Sequence, residues 1–307
     1  MKRDLLSLQD FSSKEIEGLL AHTIQLKSQK GKNTDQLKEK SVALVFQKPS
    51  NRTRVSFEIG IWQLGGKSLY LSPREIDLGK RESTADVAKT LSRYVHCIVA
   101  RTNAHKDIIE LAQNASVPII NGLSDLFHPC QGLADIFTVK EKFSDLESVT
   151  LAYIGDGNNV CHSLLLGCAK VGINIKVATP KGYEPKKDII KIAQAIAKES
   201  GSKIELSYSP QEAAKNANVL YADVWVSMGQ EEETKKRLGA FKEFQVNERL
   251  AQLADKNYIF MHCLPAHRGQ EVTSDILDGP HSVVFDQAEN RMHVQKAILL
   301  FLLGIVK

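Results

Sequence analysis

Short apolar runs alternate with amphipathic segments along this sequence, and the alternation limits its fold more than any other feature. The runs at 42–46, 97–100 and 151–154 have the length of buried strands, and apolar residues recur at helical spacing in segments between such runs. Strands that alternate with helices in this way form a parallel sheet with helices on both faces. We therefore predict an α/β fold built on mainly parallel sheets.

The length of the chain predicts two domains of this kind. A chain of 307 residues exceeds the usual domain size of about 100–150 residues. The polar segment at 144–148 separates one alternating unit from the next, so we place the domains at 1–145 and 146–307. Each domain is expected to contain a mainly parallel sheet flanked by helices.

Composition and charge exclude several classes of protein. With 43% hydrophobic and 25% charged residues, the chain has the composition of an ordinary globular protein. The net charge of +4 is small for this length, and no basic run is interleaved with aromatic residues, so no nucleic-acid partner is expected. The apolar run at 297–306 is too short to span a bilayer, so no membrane partner is expected either. Small anionic substrates suit the positive charge.

The cysteines and the start of the chain indicate a reducing compartment. Five cysteines without a Cys-x-x-Cys pair argue against a disulfide framework and against a structural zinc site. The chain passes almost directly from Met1 into a helix capped by Ser12, with Glu15 three residues on, which leaves no room for a signal segment. We expect a cytoplasmic protein.

The segment at 48–57 joins an apolar strand to a helix and carries the strongest indication of a binding site. Ser50 is placed to cap the helix, and Arg52, Thr53 and Arg54 follow in its first turn. The positive end of a helix dipole and guanidinium groups together bind an anion, and phosphate matches their paired donors best. The turn lacks the glycines of a nucleotide P-loop. A capped surface helix with two solvated arginines is the alternative that these residues alone leave open.

Two other strand ends place polar residues at the same edge of the predicted first sheet. Arg101 ends one predicted strand, and His128 follows the next, with Gln131 one helical turn on. Ligands of open parallel sheets bind beyond the carboxyl ends of the strands, so Ser50, Arg101 and His128 are expected to converge. A core histidine satisfied by backbone groups is the alternative for His128.

The second unit contains a glycine-rich turn that differs from a dinucleotide fingerprint. Gly155 and Gly157 follow a strand, but Val160 stands where the third glycine is needed, and the ribose-binding acid is missing from the next strand end. An oxidoreductase is therefore disfavoured. Asn158 and Asn159 offer amide groups at a helix start, which suit a carboxylate or an amine. A purely structural turn is the alternative.

Asp223 and Cys263 each follow a predicted strand of this unit. Asp223 suits a cationic or amine group, and the Ser-Met-Gly loop at 227–229 contains a glycine that lets the loop move. Cys263 would need an adjacent base to act as a nucleophile, and His262 points to the opposite side of an extended chain. We expect Cys263 to form hydrogen bonds or to pack. The acidic run at 230–233 is interpreted as a solvated helix start.

Five motifs spread over essentially the whole chain are typical of one enzyme family. They are Ser50-Asn51-Arg52-Thr53-Arg54, His128-Pro129-Cys130-Gln131, Asp156-Gly157-Asn158-Asn159, Asp223 with Ser227-Met228-Gly229, and His262-Cys263-Leu264-Pro265. In this order they resemble the aspartate/ornithine carbamoyltransferase family and, within it, the ornithine carbamoyltransferases. The resemblance implies transfer of the carbamoyl group of carbamoyl phosphate to the side-chain amine of L-ornithine, giving L-citrulline and phosphate, without a metal or cofactor. It also implies that the last helix, from about residue 287, packs back on the first domain.

The resemblance implies a role for each matching residue. Residues expected to bind carbamoyl phosphate are Ser50, Asn51, Arg52, Thr53, Arg101, His128, Gln131, Cys263, Leu264 and Arg291. Residues expected to bind L-ornithine are Asn159, Asp223, Ser227 and Met228. The catalytic residues among them are expected to be Arg52, Arg101, His128 and Cys263.

The resemblance also implies a homotrimer, in which a loop of one subunit, here around 77–81, completes the phosphate site of its neighbour. Two positions depart from the family pattern, because Asn51 replaces a threonine and Asp77 replaces a frequent glutamine. An acid close to phosphate repels it, so Asp77 receives no binding role.

The sequence leaves three alternatives to an ornithine carbamoyltransferase. Aspartate carbamoyltransferase shares the phosphate turn, but it has proline in place of Cys263 and lacks the Ser-Met-Gly loop. A diamine carbamoyltransferase is expected to depart from that loop as well, because its substrate has no α-carboxylate. A non-catalytic phosphate-binding protein is supported only by the departures at Asn51 and Asp77.

Overall fold

The computed structural model describes residues 2–76, 78–227, 229 and 231–306. The chain divides into two compact units, one formed by Met1–Phe137 with Glu289–Lys307 and the other by Thr138–Ala288. Each unit contains one sheet, and the neighbouring strands described in both sheets pair in parallel. The predicted α/β fold with two mainly parallel sheets is confirmed.

The sheet of the first unit has the strand order β2-β1-β3-β4. Its strands are β1 (Ser41–Phe46), β2 (Lys67–Leu71), β3 (Cys97–Arg101) and β4 (Ile119–Leu123). The central strands β1 and β3 are buried along nearly their whole length. Burial on both faces explains why they read as continuous apolar runs rather than as alternating patterns.

The helices of the first unit connect these strands. They are α1 (Ser13–Ser28), α2 (Asn51–Gln63), α3 (Pro73–Ile76), α4 (Thr84–Leu91), α5 (His105–Asn114) and α6 (Pro129–Lys142), the last of which continues into the second unit. Ser12 caps α1 and Glu15 returns the hydrogen bond, which is the capping box that the sequence predicted. Because the strands are parallel, the segments that follow β1, β3 and β4 leave the same edge of the sheet.

The sheet of the second unit has the strand order β7-β6-β5-β8-β9. Its strands are β5 (Thr150–Ile154), β6 (Asn174–Ala178), β7 (Ile204–Ser207), β8 (Val219–Ala222) and β9 (Ile259–His262). Its helices are α7 (Asn159–Val171), α8 (Lys187–Ser200), α9 (Pro210–Ala214), α10 (Thr234–Phe241), α11 (Glu248–Ala251) and α12 (Ser274–Leu277). The chain order reverses on either side of β5, so β5 and β8 flank the switch point where such sheets bind ligands.

The last helix, α13 (Val284–Leu302), begins in the second unit and belongs to the first from Glu289 onward. Within the first unit, Lys27 Nζ donates to Asn290 Oδ1 at 2.7 Å. The rings of Phe11 and Phe301 meet edge to face with 5.3 Å between centroids. The end of the chain therefore packs on the first unit, as the resemblance implied.

The start of the last helix differs from the sequence prediction. Helix α13 starts at Val284, earlier than the predicted start near residue 287, because the short apolar run at 283–285 does not distinguish strand from helix. The helical spacing of Val55, Ile59 and Trp62 predicts a helix after β1, and α2 confirms it. These three residues lie on the surface, while the buried face of α2 is formed by Thr53, Phe57, Gly60 and Ile61. No helix among the described residues combines the length and apolar character that crossing a membrane requires.

Candidate active site

The first turn of α2 has the predicted geometry of an anion-binding helix start. Ser50 is extended, with φ −152° and ψ 122°, and its hydroxyl accepts a hydrogen bond from the Thr53 amide. The amides of a first helical turn have no acceptor within their own helix, and the dipole adds positive potential there. Helix α2 therefore presents donors and positive charge just beyond the carboxyl end of β1.

Arginine side chains from distant parts of the first unit gather at this turn. Arg101, the last residue of β3, donates from Nη1 to Ser50 Oγ at 3.4 Å. Arg291 of α13 donates from Nη2 to Thr53 Oγ1 at 2.8 Å. Burial, followed by the positive charges of Arg291 and Arg52, lowers the pKa of Arg101 to about 10. Such mutual repulsion between cations is relieved by an anion.

His128 lies in the same cluster as a neutral imidazole. It is 4% exposed, and burial, followed by the charges of Arg291, Arg101 and Arg52, holds its pKa well below the usual value for histidine. The preceding loop is fixed by Asn121, whose Nδ2 donates to Ser124 Oγ at 3.2 Å and to the Phe127 carbonyl at 3.4 Å. His128 can therefore donate a hydrogen bond at neutral pH but supplies no charge.

Arg101 Nε and Gln131 Oε1 are buried polar atoms of this cluster that have no hydrogen-bond partner among the described residues. The other end of the Gln131 amide is fixed, because Nε2 donates to Asp135 Oδ1 at 2.8 Å. Buried polar groups almost always have partners, so atoms of this kind indicate that a polar ligand belongs here. The cluster therefore offers cations for an anionic group next to donors and an acceptor for an amide.

In the second unit, Asp223 is the centre of a hydrogen-bonded group at the ends of β5, β8 and β9. Its Oδ2 accepts from Asn158 Nδ2 at 2.7 Å, and its Oδ1 accepts from Cys263 Sγ at 3.0 Å. The Val224 amide also donates to Oδ1, at 2.8 Å. Asn158 caps α7 through its own Oδ1, which accepts from the amides of Val160 and Cys161. The carboxylate is thus fixed in direction before any substrate binds.

The segment after β9 is fixed by His262. Its Nδ1 accepts from the Leu264 amide at 2.8 Å, and its Nε2 lies 3.2 Å from Glu271 Oε1. Leu264 has a positive φ of 58°, and the Leu264–Pro265 peptide bond is cis. The hydrogen bonds of His262 fix this segment, and the Cys263 thiol donates to Asp223. This contact agrees with the expectation that Cys263 forms hydrogen bonds.

The side chains of Asp223, His262 and Cys263 also resemble a set of metal ligands, because one donor atom of each lies within 4.8 Å of the others. The hydrogen bonds explain this grouping without a metal. Both ring nitrogens of His262 are engaged by Leu264 and Glu271, and Cys263 donates to Asp223. A metal would have to break these contacts to be bound.

The structure separates the predicted site residues into two groups. The first unit brings together Ser50, Thr53, Arg101, His128, Gln131 and Arg291, with Arg52 close enough to act on their pKa values. The second brings Cys263 and the amide of Leu264 to Asp223 and His262, and it places Asn159 at the start of α7. Asn51 is exposed in the first turn of α2. Met228 and Asp77 lie outside the described residues.

Two contacts of the second unit could not be predicted from the sequence. Asn158 is a possible ligand by its sequence position, but its contact with Asp223 depends on the pairing of β5 with β8. Arg237 follows the acidic run that is interpreted as a solvated helix start, and yet it is 6% exposed. A single arginine in a charged stretch carries no signal of burial, so only the fold shows it.

Comparison with known proteins identifies the class to which this fold and these sites belong. The carbamoyl-P binding domain of aspartate/ornithine carbamoyltransferases matches residues 3–141, and the Asp/Orn binding domain of the same proteins matches residues 147–302. The chain belongs to the aspartate/ornithine carbamoyltransferase family.

Relatives that are about half identical to this chain are of one kind within that family. An ornithine carbamoyltransferase of Thermococcus kodakarensis is 52% identical over 99% of this chain and 98% of its own. One of Pyrococcus horikoshii is 53% identical over 99% of this chain and 97% of its own. The solved structure of ornithine carbamoyltransferase from Pyrococcus furiosus is 51% identical, covers 100% of this chain and 98% of its own, and has a TM-score of 0.97. The resemblance seen in the sequence is confirmed.

Proposed function

We propose that this protein transfers the carbamoyl group of carbamoyl phosphate to the side-chain amine of L-ornithine, giving L-citrulline and phosphate. The observation that carries the proposal is that Arg101, Arg291 and neutral His128 lie around the capped start of α2. Beside them is Gln131 Oε1, which has no hydrogen-bond partner in the part of the chain that the structure describes. That arrangement suits a ligand with a doubly charged phosphate at one end and an amide at the other. Carbamoyl phosphate is such a ligand.

The phosphate is held by Ser50, Asn51, Arg52 and Thr53 at the start of α2, together with Arg291. Guanidinium forks pair with phosphate oxygens, and the helix start adds amide donors. Arg101, His128 and Gln131 hold the carbamoyl end. Of these, Arg101 and His128 are directed at the carbonyl oxygen, where negative charge develops in the tetrahedral intermediate. Catalysis here needs no metal or cofactor.

L-Ornithine is held by Asp223, Asn159, Ser227 and Met228, with Cys263 and Leu264 at the reacting end. Asp223 orients the side-chain amine, and its own position is set by Asn158 and Cys263. The amine nitrogen forms a bond to the carbonyl carbon, the bond from that carbon to the phosphate oxygen then breaks, and the departing phosphate takes the proton from nitrogen.

A substrate comparison tests the proposal. We expect the purified protein to form citrulline from carbamoyl phosphate and L-ornithine, and to use L-aspartate and putrescine poorly. Carbamoyl-aspartate as the main product would favour an aspartate carbamoyltransferase, and carbamoyl-putrescine would favour a diamine enzyme. Tight phosphate binding without any carbamoylated product would indicate a binding protein and would contradict the proposal.

The rate is expected to rise with pH through the neutral and alkaline range. Only a neutral amine attacks, and with a lysine-like pKa near 10.4 about one amine in 10³ is neutral at pH 7. His128 adds no titration of its own, because its pKa lies well below the usual value and it is already neutral in this range. Initial rates at low L-ornithine measured between about pH 6 and pH 9 check this. A flat profile with chemistry rate-limiting would contradict it.

We also propose that the protein is a homotrimer in the cytoplasm. Helix α2 exposes an apolar stripe of Val55, Ile59 and Trp62, which are 47%, 41% and 61% exposed, and Leu69 of the edge strand β2 is 51% exposed. Large apolar side chains exposed along one face of a helix support a protein interface here. No disulfide joins the cysteines among the described residues, as a reducing compartment allows.

Trp62→Glu is expected to reduce or abolish the trimer, because it places a charge in the apolar stripe. Light scattering coupled to size exclusion at several protein concentrations measures the change. Tyr94→Glu provides the control, since Tyr94 is also a large exposed side chain of the first unit, 71% exposed, but lies outside α2. An unchanged mass for Trp62→Glu would exclude this stripe as the interface.

A further inference from the structure

Arg237 is a buried cation of the second unit that the proposed chemistry does not use. It lies on α10, after the segment that carries Asp223 and Ser227, and only 6% of it is exposed. An arginine is rarely buried unless its guanidinium group is paired. Its partners show what it holds in place.

The guanidinium group joins two separate loops. Nη1 donates to Asp156 Oδ2 at 2.9 Å and to the Trp225 carbonyl at 3.0 Å. Asp156 belongs to the turn after β5 and Trp225 to the segment after β8. Nε donates to Glu233 Oε2 at 3.0 Å, where Glu233 is 52% exposed in its side chain.

The same two loops are also joined at a second point. Asn158, two residues after Asp156, donates to Asp223 Oδ2 at 2.7 Å, two residues before Trp225. Tyr153 also stabilises the turn, since its hydroxyl donates to the Asp156 carbonyl at 2.8 Å. The turn after β5 and the segment after β8 are therefore joined by hydrogen bonds at two points. Arg237 forms one connection, and the contact of Asn158 with the proposed substrate ligand Asp223 forms the other.

We propose that Arg237 is a positioning residue for the amino-acid substrate, which fixes the segment from Asp223 to Ser227 against the turn at 155–158. This inference rests on the proposed function. Arg237 itself does not touch the substrate. It acts by holding Asp223 and the chain leading to Ser227 in the direction needed to bind L-ornithine.

The chemistry of the contact favours arginine over lysine. A planar guanidinium reaches an acid, a carbonyl and a second acid at once, whereas an ammonium group on a flexible stem does not. Burial raises the pKa of Asp156 to about 6, against the opposing effect of Arg237. Without Arg237, this carboxylate would be buried without its counter-ion. Either the turn would have to rearrange, or the Asp156 carboxylate would have to take up a proton.

Arg237→Gln tests the inference by steady-state kinetics. We expect the KM for L-ornithine to rise by about 10- to 100-fold, as a misplacement of binding groups by about 1 Å would produce. The KM for carbamoyl phosphate and kcat at saturating L-ornithine should change little, because the first unit is untouched. Arg237→Lys should recover only part of the loss. A merely structural role would lower the active fraction and kcat without this selective change in one KM.

Two matched controls separate positioning from general effects of charge. Glu233→Gln removes the exposed arm of the network, and Arg268→Gln removes an arginine whose partner Asp278 lies on the surface. Both variants should retain the wild-type KM for L-ornithine. Asp156→Asn should raise that KM less than Arg237→Gln does, and the double variant Arg237→Gln/Asp156→Asn should be less impaired than the sum of the single effects.

Trp225 gives a readout that is independent of activity. The chain has two tryptophans, and Trp62 is exposed while Trp225 is 4% exposed and stacks on Phe241. In a Trp62→Phe background, Arg237→Gln should shift the Trp225 emission to longer wavelength, whereas Arg268→Gln should not. If Arg237→Gln does not fold, Asp156→Asn and Arg237→Lys carry the same kinetic test.

The outcomes also distinguish this inference from the proposed function. A wild-type protein that makes no citrulline would overturn the function itself. An active wild type whose Arg237 and Asp156 variants keep the KM for L-ornithine, or lose kcat alone, would overturn only the positioning role.

Discussion

Replacing Arg52 by alanine is expected to lower kcat/KM for carbamoyl phosphate by about 10²–10³-fold, the cost of removing one charge-stabilising group from an active site. Arg52 lies in the first turn of α2, close enough to Arg101 and His128 to lower the pKa of both. Its guanidinium is therefore placed to meet the phosphate and to stabilise charge as phosphate departs. Initial rates of citrulline formation at varied carbamoyl phosphate measure the effect.

A control for this variant is Arg93→Ala, which removes an exposed arginine of the same unit that lies after α4. It should keep wild-type kinetics. Arg52→Lys separates charge from geometry, because lysine retains the charge but not the planar fork that pairs with phosphate oxygens. Full activity of Arg52→Ala would remove Arg52 from the phosphate site.

Replacing Asp223 by asparagine is expected to lower kcat/KM for L-ornithine by about 10²–10³-fold, in the range measured when one member of a buried charged pair is lost. The carboxylate accepts hydrogen bonds from Asn158 and Cys263, and an asparagine amide would set a donor against one of those donors. The side chain would turn away from its present direction and would no longer carry the charge that orients the amine. Initial rates at varied L-ornithine measure the loss.

The matched control for Asp223 is Asp278→Asn, which changes an acid whose partner Arg268 lies on the surface of the same unit. It should leave kcat/KM for L-ornithine unchanged. Binding of a phosphonate analogue of carbamoyl phosphate should be retained in Asp223→Asn, since the first unit is intact. Loss of phosphonate binding together with activity would show that the substitution damages more than the amino-acid site.

Much of the fold could be predicted from the sequence because the central strands are buried on both faces. The run at 42–46 is apolar without interruption, and parallel strands leave their following loops at one edge. Ser50, Arg101 and His128 each follow or end a strand of the first sheet, so their convergence followed from topology alone. Their roles as ligands of carbamoyl phosphate stay predictions until the variants are measured.

The remaining features depend on burial and on pairing between distant segments. The neutrality of His128 results from its burial and from arginines at positions 52, 101 and 291, which no local pattern brings together. The partners of Arg237 come from two loops that meet only because β5 pairs with β8. The exposure of the apolar face of α2 could not be predicted either, since an exposed stripe and a core stripe have the same helical period.

A crystal structure of the wild-type protein with phosphonoacetamide, a non-hydrolysable analogue of carbamoyl phosphate, would show whether the arginine cluster of the first unit binds the phosphate group. We expect the phosphonate at the capped start of α2, against Arg52 and Thr53, with the amide group directed at His128 and Gln131. Phosphonate bound elsewhere on the chain, with no contact to the arginines of this cluster, would show that the cluster is not the carbamoyl phosphate site.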